Sequence, residues 1–434
     1  MYIQHLIRSP HSLIAFCCLI LCFATDRSSA QGDFSLRGSI SSRLTLLSAR
    51  DETLLNPQQQ LVTLPEWVNR LYSDLTISAF SPKWDILLTL RPIFDQTEDD
   101  TENEIFVDNA YVIYRSMSGF FLTAGKQNFA EGVALHFNPT DFLGEGKEVD
   151  PLLTEEERKQ QREGSYFIRL ERLYPSWTLS LLVAPELGRR QPQKNRGILK
   201  ISKQFGSADG SLLVLVTDDR PGLGLNFSTT YGAALELHVE AALRRESHRG
   251  FLEKGVEVFP NSGIFQYKIV DPEDENELFA QMVVGGHYTF SNKVNVIFEY
   301  FYNQDGYNEA EWQSFTDAIE QNNSLLLSFP NDLRSLLLRN LSLANSLMTF
   351  RSLRQHYAFL RISKPQLIHK IEATLVYFTN LEDKSFVLNP RLEYKWIKGF
   401  SFSVGALVFE GKQTTEFAFT PMQIQWYFQV QKSF

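Results

Sequence analysis

Charged side chains recur at alternate positions along this chain. Basic ones are Arg37, Arg43, Arg70, Arg91, Arg169, Lys200, Arg244, Arg361, Lys370, Arg391 and Lys395. Acidic ones are Asp74, Asp85, Asp108, Glu171, Glu236, Glu240, Glu299, Glu372 and Glu393. Arginine outnumbers lysine in this set, and a planar guanidinium fork suits carboxylate or phosphate groups. The chemistry on offer is recognition rather than turnover. Covalent catalysis needs a nucleophile with a base in reach. The histidines after residue 30 (His136, His238, His248, His287, His356 and His369) are scattered, and neither HExxH nor GxSxG occurs. No P-loop, dinucleotide fingerprint or EF-hand loop is present. No enzyme activity, cofactor or metal site is expected. His136, near Asn138 and Asp141, is the one cluster where acid–base chemistry is worth testing, and a neutral histidine is an ordinary polar residue there.

The elements that must position these charges have a period of two. In Phe34–Leu47, Leu36, Gly38, Ile40, Leu44 and Leu46 share one face, while Ser35, Arg37, Ser39, Ser41, Arg43 and Thr45 share the other. Side chains alternate across a strand, so each such segment has one apolar and one polar face. Ala233–Leu243, Leu223–Tyr231, Val294–Tyr302 and Phe386–Trp396 repeat the pattern. Eighteen segments of this kind lie between residues 34 and 434, and sixteen is the alternative count. Short turns, such as 81–83, 116–119, 291–293 and 364–366, alternate with connections that are mostly longer. The expected fold class is therefore all-β: a closed antiparallel transmembrane β-barrel with short turns at one end and long loops at the other. Closure satisfies every backbone group within lipid.

Residues 1–30 read as a signal peptide. Arg8 precedes the apolar run Leu13–Ala24, and Ser28–Ala30 supplies small residues before a cleavage at Gln31. The mature chain is then 31–434. All three cysteines (Cys17, Cys18 and Cys22) fall in the leader, which excludes disulfides and thiolate chemistry afterwards. The formal charge of −9 argues against a nucleic-acid partner. The acidic run Asp95, Glu98, Asp99, Asp100, Glu102 and Glu104 is expected to form a solvated loop outside the barrel.

Two stretches carry a resemblance. The final strand alternates hydrophobic residues back from a terminal phenylalanine. Trp426, Phe428 and Phe434 resemble the C-terminal recognition signal of bacterial outer-membrane proteins, which implies insertion by barrel-assembly machinery. Ala110–Leu143 is similar to a segment of porin-like families, on Gly125, Lys126, Gln127, Gly132, Asn138, Pro139 and Asp141. Glu131 stands where such families often have tryptophan. Glu299–Tyr307 has the same flavour. The resemblance implies an outer-membrane channel passing small polar or anionic solutes by passive diffusion, in contact with outer-membrane lipid and lipopolysaccharide. Polysaccharide or capsule export and a structural or adhesive surface role are the alternatives.

On that reading Arg37, Arg43, Arg70, Arg91, Arg169, Glu171, Glu236, Glu240, Arg244, Glu299, Arg361 and Arg391 line a polar, hydrated lumen. Lys126, Gln127, Asn138 and Asp141 belong to a constriction. Three long loops stand out. Residues 129–162 contain Thr154-Glu155-Glu156-Glu157, a capping box opening a helix, and this loop could fold inward and narrow a pore. Residues 304–353 hold two amphipathic helical patterns, with Trp312, Phe315 and Ile319 on one face and Leu337, Leu341, Ala344 and Leu347 on another, separated by Pro330-Asn331-Asp332. Such helices fit a cap on the mouth, with a plug in the lumen or a partner contact as the alternatives. Residues 247–276 show only the turn Pro260–Gly263.

Overall fold

The period-two segments become strands in a computed structural model. It describes residues 33–434 apart from 51–52, 145–146, 148–149, 186, 188–194, 218–220, 246, 248, 261, 271–276, 329–332, 349–351 and 398. The leader and the Pro330–Asp332 turn lie outside the described residues. The strands are β1 (Asp33–Ala49), β2 (Trp67–Phe80), β3 (Trp84–Gln96), β4 (Thr101–Arg115), β5 (Phe120–Gln127), β6 (Ser165–Leu173), β7 (Trp177–Ala184), β8 (Arg196–Phe205), β9 (Ala208–Thr217), β10 (Gly222–Tyr231), β11 (Leu235–Arg245), β12 (Phe251–Glu257), β13 (Phe265–Val270), β14 (Leu278–Thr289), β15 (Asn295–Asn303), β16 (His356–Ile368), β17 (Ile371–Asn380), β18 (Phe386–Lys395), β19 (Phe400–Glu410) and β20 (Met422–Ser433). Eighteen of them form one sheet of antiparallel neighbours, while β12 and β13 pair only with each other.

The sheet closes on itself. β20 pairs with β1 from Ser39↔Ser433 to Ala49↔Met422. The last rung is reciprocal: Gly38 N–H donates to Phe434 O at 3.1 Å, and Phe434 N–H donates to Gly38 O at 2.9 Å. Closure removes the two edges that an open sheet would present to lipid. No described helix is long and apolar enough to cross a membrane; the strands make the crossing. Their outer faces are apolar, and Leu44, Leu46, Leu225, Phe227, Trp426 and Phe428 are each about two-fifths to one-half exposed. That belt is what a transmembrane barrel turns to lipid.

Three expectations change. The interior is not uniformly polar and hydrated, because the long loop after β5 folds inward and meets apolar patches on the inner wall. The turn expected at 364–366 lies later, as β16 runs to Ile368 across an irregularity between Lys364 and Ile368. Residues 247–276 contain the β12–β13 hairpin, whose alternation was too short to stand out from its turn residues.

The helices are α1 (Glu155–Gln160), α2 (Glu309–Ser328) and α3 (Arg334–Leu347). α1 opens with the full capping box: Thr154 accepts from Glu157 N–H, and the Glu157 side chain reaches back to Thr154. α2 and α3 bury Trp312, Phe315, Ile319, Leu337, Leu341, Ala344 and Leu347 in one cluster with Leu55, Tyr307, Leu353 and Phe419. These partners come from loops after β1, β15 and β19. The helical pair therefore forms a cap tied across part of the long-loop end.

Candidate functional site

The loop between β5 and β6 stands on three apolar feet. Ala134 and Phe137 pack against Val283, Ile297, Phe301, Tyr357 and Phe359 on β14–β16. His136 stacks on Phe359 with centroids 4.4 Å apart, and Phe137 stacks on Phe301 at 4.3 Å. Phe142 and Leu143 enter a second patch made by Phe167, Leu182, Ile198, Leu213 and Leu215. Leu152 rests on Leu407 and Tyr427 of β19 and β20. Burying each side chain of this size contributes roughly 1.5–3 kcal/mol, so the loop is a packed part of the barrel.

Two wall glutamates pin its backbone. Glu240 accepts from the N–H groups of Val133 (2.8 Å), Ala134 (3.2 Å) and Thr140 (2.8 Å), and from Thr140 Oγ1 at 2.8 Å. Glu299 accepts from Leu135 (2.5 Å), His136 (3.0 Å) and Phe137 (3.4 Å), and His238 Nε2 lies 3.3 Å away. Both carboxylates are fully buried. They supply the acceptors that an irregular backbone needs inside a barrel. Gly132 allows the approach. Its φ is +102°, and a Cβ there would lie 2.6 Å from Glu240 Oε2.

The remaining pins are ion pairs. Arg361 holds Glu156 at 2.6 Å and Arg391 holds Glu157 at 3.1 Å, which fixes the acidic first turn of α1 to β16 and β18. Lys200 pairs with Glu131, and Arg244 donates to Pro139 O at 3.0 Å. Arg162 binds Asp141 at 2.5 Å, and Lys126 binds Glu163 at 2.5 Å. Lys159 reaches Asn138 Oδ1 at 3.3 Å. Asp150 is shared by Arg43 and by Arg70, the latter at 2.7 Å.

The wall and constriction candidates thus divide by position. Glu240, Glu299, Arg244, Arg361 and Arg391 lie against the inward loop. Arg43, Arg70 and Arg91 sit on three adjacent strands. Arg91 forks onto Asp108 at 2.8 and 3.0 Å, and Arg70 onto Asp95 at 2.7 and 2.6 Å. Arg169 pairs with Glu171 at 3.0 Å beneath the Phe129 ring. Arg37 is exposed and Glu236 half-buried on the wall away from the loop, with His287 3.9 Å from Glu236. Gln127 ends β5, and its Oε1 has no hydrogen-bond partner among the described residues. Asp95, Glu102 and Glu104 line the cavity at the mouth instead of facing away from it, because β3 and β4 continue upward as a hairpin. Asp150, Arg162, Arg196 and Arg249 escaped the sequence reading. They lie in loops or at strand starts, where no periodicity marks a face.

Between the inward loop and the cap lies a cavity of ≈ 1990 Å³. Nine basic and seven acidic described residues line it. Among the described residues no group of three or more His, Cys, Asp or Glu could hold a metal ion.

This architecture has solved counterparts. OccAB1 of Acinetobacter baumannii superposes with a TM-score of 0.51 at 10% identity, over 92% of this chain and 96% of that one. OpdQ of Pseudomonas aeruginosa gives 0.52 at 8% identity, over 92% and 99%. The chain has the closed β-barrel fold of these two proteins. OpdK of Pseudomonas aeruginosa, solved with vanillate, gives 0.50 at 8% identity, over 92% and 98%. At these identities the barrel shares a fold with them. No protein-family model and no curated protein matches it by sequence.

Proposed function

We propose that the barrel is a channel of a bacterial outer membrane that passes small polar or anionic solutes by passive diffusion. One observation carries the reading: Arg43 and Arg70, direct register partners on β1 and β2, and Arg91 further along the adjoining β3 all face the cavity left between the loop and the cap. Their forks suit carboxylates, and the lining carries a small basic excess. The vanillate bound by OpdK is itself a carboxylate. Much of the arginine charge is already paired, so the expected preference for anions is weak. On the same reading residues 1–30 direct export and are removed. Barrel-assembly machinery reads Trp426, Phe428 and Phe434, and the apolar belt meets membrane lipid and lipopolysaccharide.

The test is single-channel current of the refolded chain 31–434 in a planar bilayer under a salt gradient. Open steps with a reversal potential on the anion side support the proposal, and Arg43→Gln should move that potential toward the cation side. A silent barrel, or one preferring cations, overturns it.

A further inference from the structure

We propose that Asp150 is a tethered carboxylate occupying the place that a permeating carboxylate would take, so that the solute enters by displacing it. The inference rests on the channel reading above. Arg43 and Arg70 are direct register partners on β1 and β2. Like charges placed opposite each other repel, and an anion between them relieves the cost. Asp150 supplies it from the inward loop: one oxygen, Oδ2, accepts from Arg43 Nη2 and, at 2.7 Å, from Arg70 Nη1. Its other oxygen accepts from Leu152 N–H at 2.9 Å. Leu152 is anchored on Leu407 and Tyr427, so the carboxylate hangs from a fixed point beside the arginines.

The two guanidinium groups are not equally satisfied. Arg70 already spends one complete fork on Asp95. Arg43 is only 3% exposed, yet its Nε and Nη1 have no hydrogen-bond partner among the described residues. Leaving buried donors unmet is costly. Nη2 is the corner common to both forks of a guanidinium, the Nε/Nη2 edge and the Nη1/Nη2 edge. Asp150 takes one of the two Nη2 hydrogens and so denies one of those forks to a second carboxylate. Its release leaves both edges open. Gln425 Oε1 on the adjoining β20 likewise has no hydrogen-bond partner among the described residues, so an acceptor for a hydroxylated solute lines the same cavity. Arg43, Gln425 and Asp150 all line the cavity. A tethered group competes at an effective concentration on the order of millimolar, which sets a threshold for the solute without closing the path.

The experiment titrates succinate against the chloride current of the refolded barrel, wild type and Asp150→Asn. Asparagine keeps the acceptor for Leu152 N–H and removes the competing charge. Half-block by succinate should need about tenfold less in the variant, with a smaller change in chloride preference, because chloride cannot use a fork. An unchanged half-block overturns the inference. So does an equal shift for succinate and chloride, which makes Asp150 only a wall charge. If Asp150→Asn fails to assemble, Arg43→Lys keeps the charge and removes both forks. Succinate block should then weaken about tenfold at an unchanged reversal potential, and unweakened block overturns the inference. A silent wild type is a different result: it defeats the channel reading itself.

Discussion

Glu240 shows how a single side chain can set the interior. A carboxylate facing a water-filled lumen has solvent for a partner. Glu240 instead accepts three loop N–H groups and a threonine hydroxyl. Bonds to an ionised acceptor are the stronger kind, and losing them strands buried donors. Glu240→Ala should therefore lower the stability of the refolded barrel by about 3 kcal/mol, read as the shift in a urea unfolding curve. It should also raise the open-channel conductance, since the loop would leave the wall. Unchanged unfolding and conductance would show that the apolar feet hold the loop without this carboxylate.

At the scale of elements, two joints invite measurement. The first ties the cap down. Glu416, between β19 and β20, accepts from Leu353 N–H (2.9 Å), the Tyr357 hydroxyl (2.7 Å) and Asn380 Nδ2 (2.9 Å), while Asp383 Oδ2 accepts from Glu416 N–H. Burial, with Asp383 nearby, pushes its carboxyl up from 4.5 to about 7. The folded state then holds a proton that the unfolded chain gives up. The stabilisation is complete below about 4.5 and is lost as pH rises through about 7. Hydrogen exchange in 411–421 and 353–357 should accelerate across that window, and Glu416→Gln should flatten the dependence. The second joint is the seam. A Cβ on Gly38 would lie 2.3 Å from Asp74 O and 3.1 Å from the Phe434 ring, so the terminal ring sits over a glycine notch beside Leu75. Phe434→Ala should lower the unfolding midpoint of barrels refolded in detergent with no assembly machinery present. An unchanged midpoint would leave Phe434 as a recognition signal alone.

For the whole molecule, the cap and the inward loop divide the labour. The loop crosses the lumen on feet set at three places on the wall. The cap spans only the arc whose loops supply Leu55, Tyr307, Leu353 and Phe419, and the cavity opens beside β1–β4. Removing 304–353 should therefore widen the outer mouth and raise conductance modestly while keeping the sign of the selectivity, because Arg43, Arg70 and Arg91 remain. Current that appears only after the deletion would make the cap a plug.

The sequence by itself determined the barrel. A period-two pattern of this length has one way to satisfy both lipid and backbone, and all eighteen strands lie within a few residues of where alternation places them. The capping box before α1 and the apolar stripes of α2 and α3 were also legible, since they depend on neighbours three and four residues apart. The tertiary structure alone decided what the inner charges do. Alternation says that Glu240, Arg361 and Arg391 point inward, but whether water, a solute or another part of the chain meets them depends on a contact across some hundred residues or more. The inward packing of Phe137, Phe142 and Leu152 turned part of a presumed aqueous wall into a core. Asp150, in a loop with no period to mark it, acquires its place between Arg43 and Arg70 only when that loop crosses the lumen.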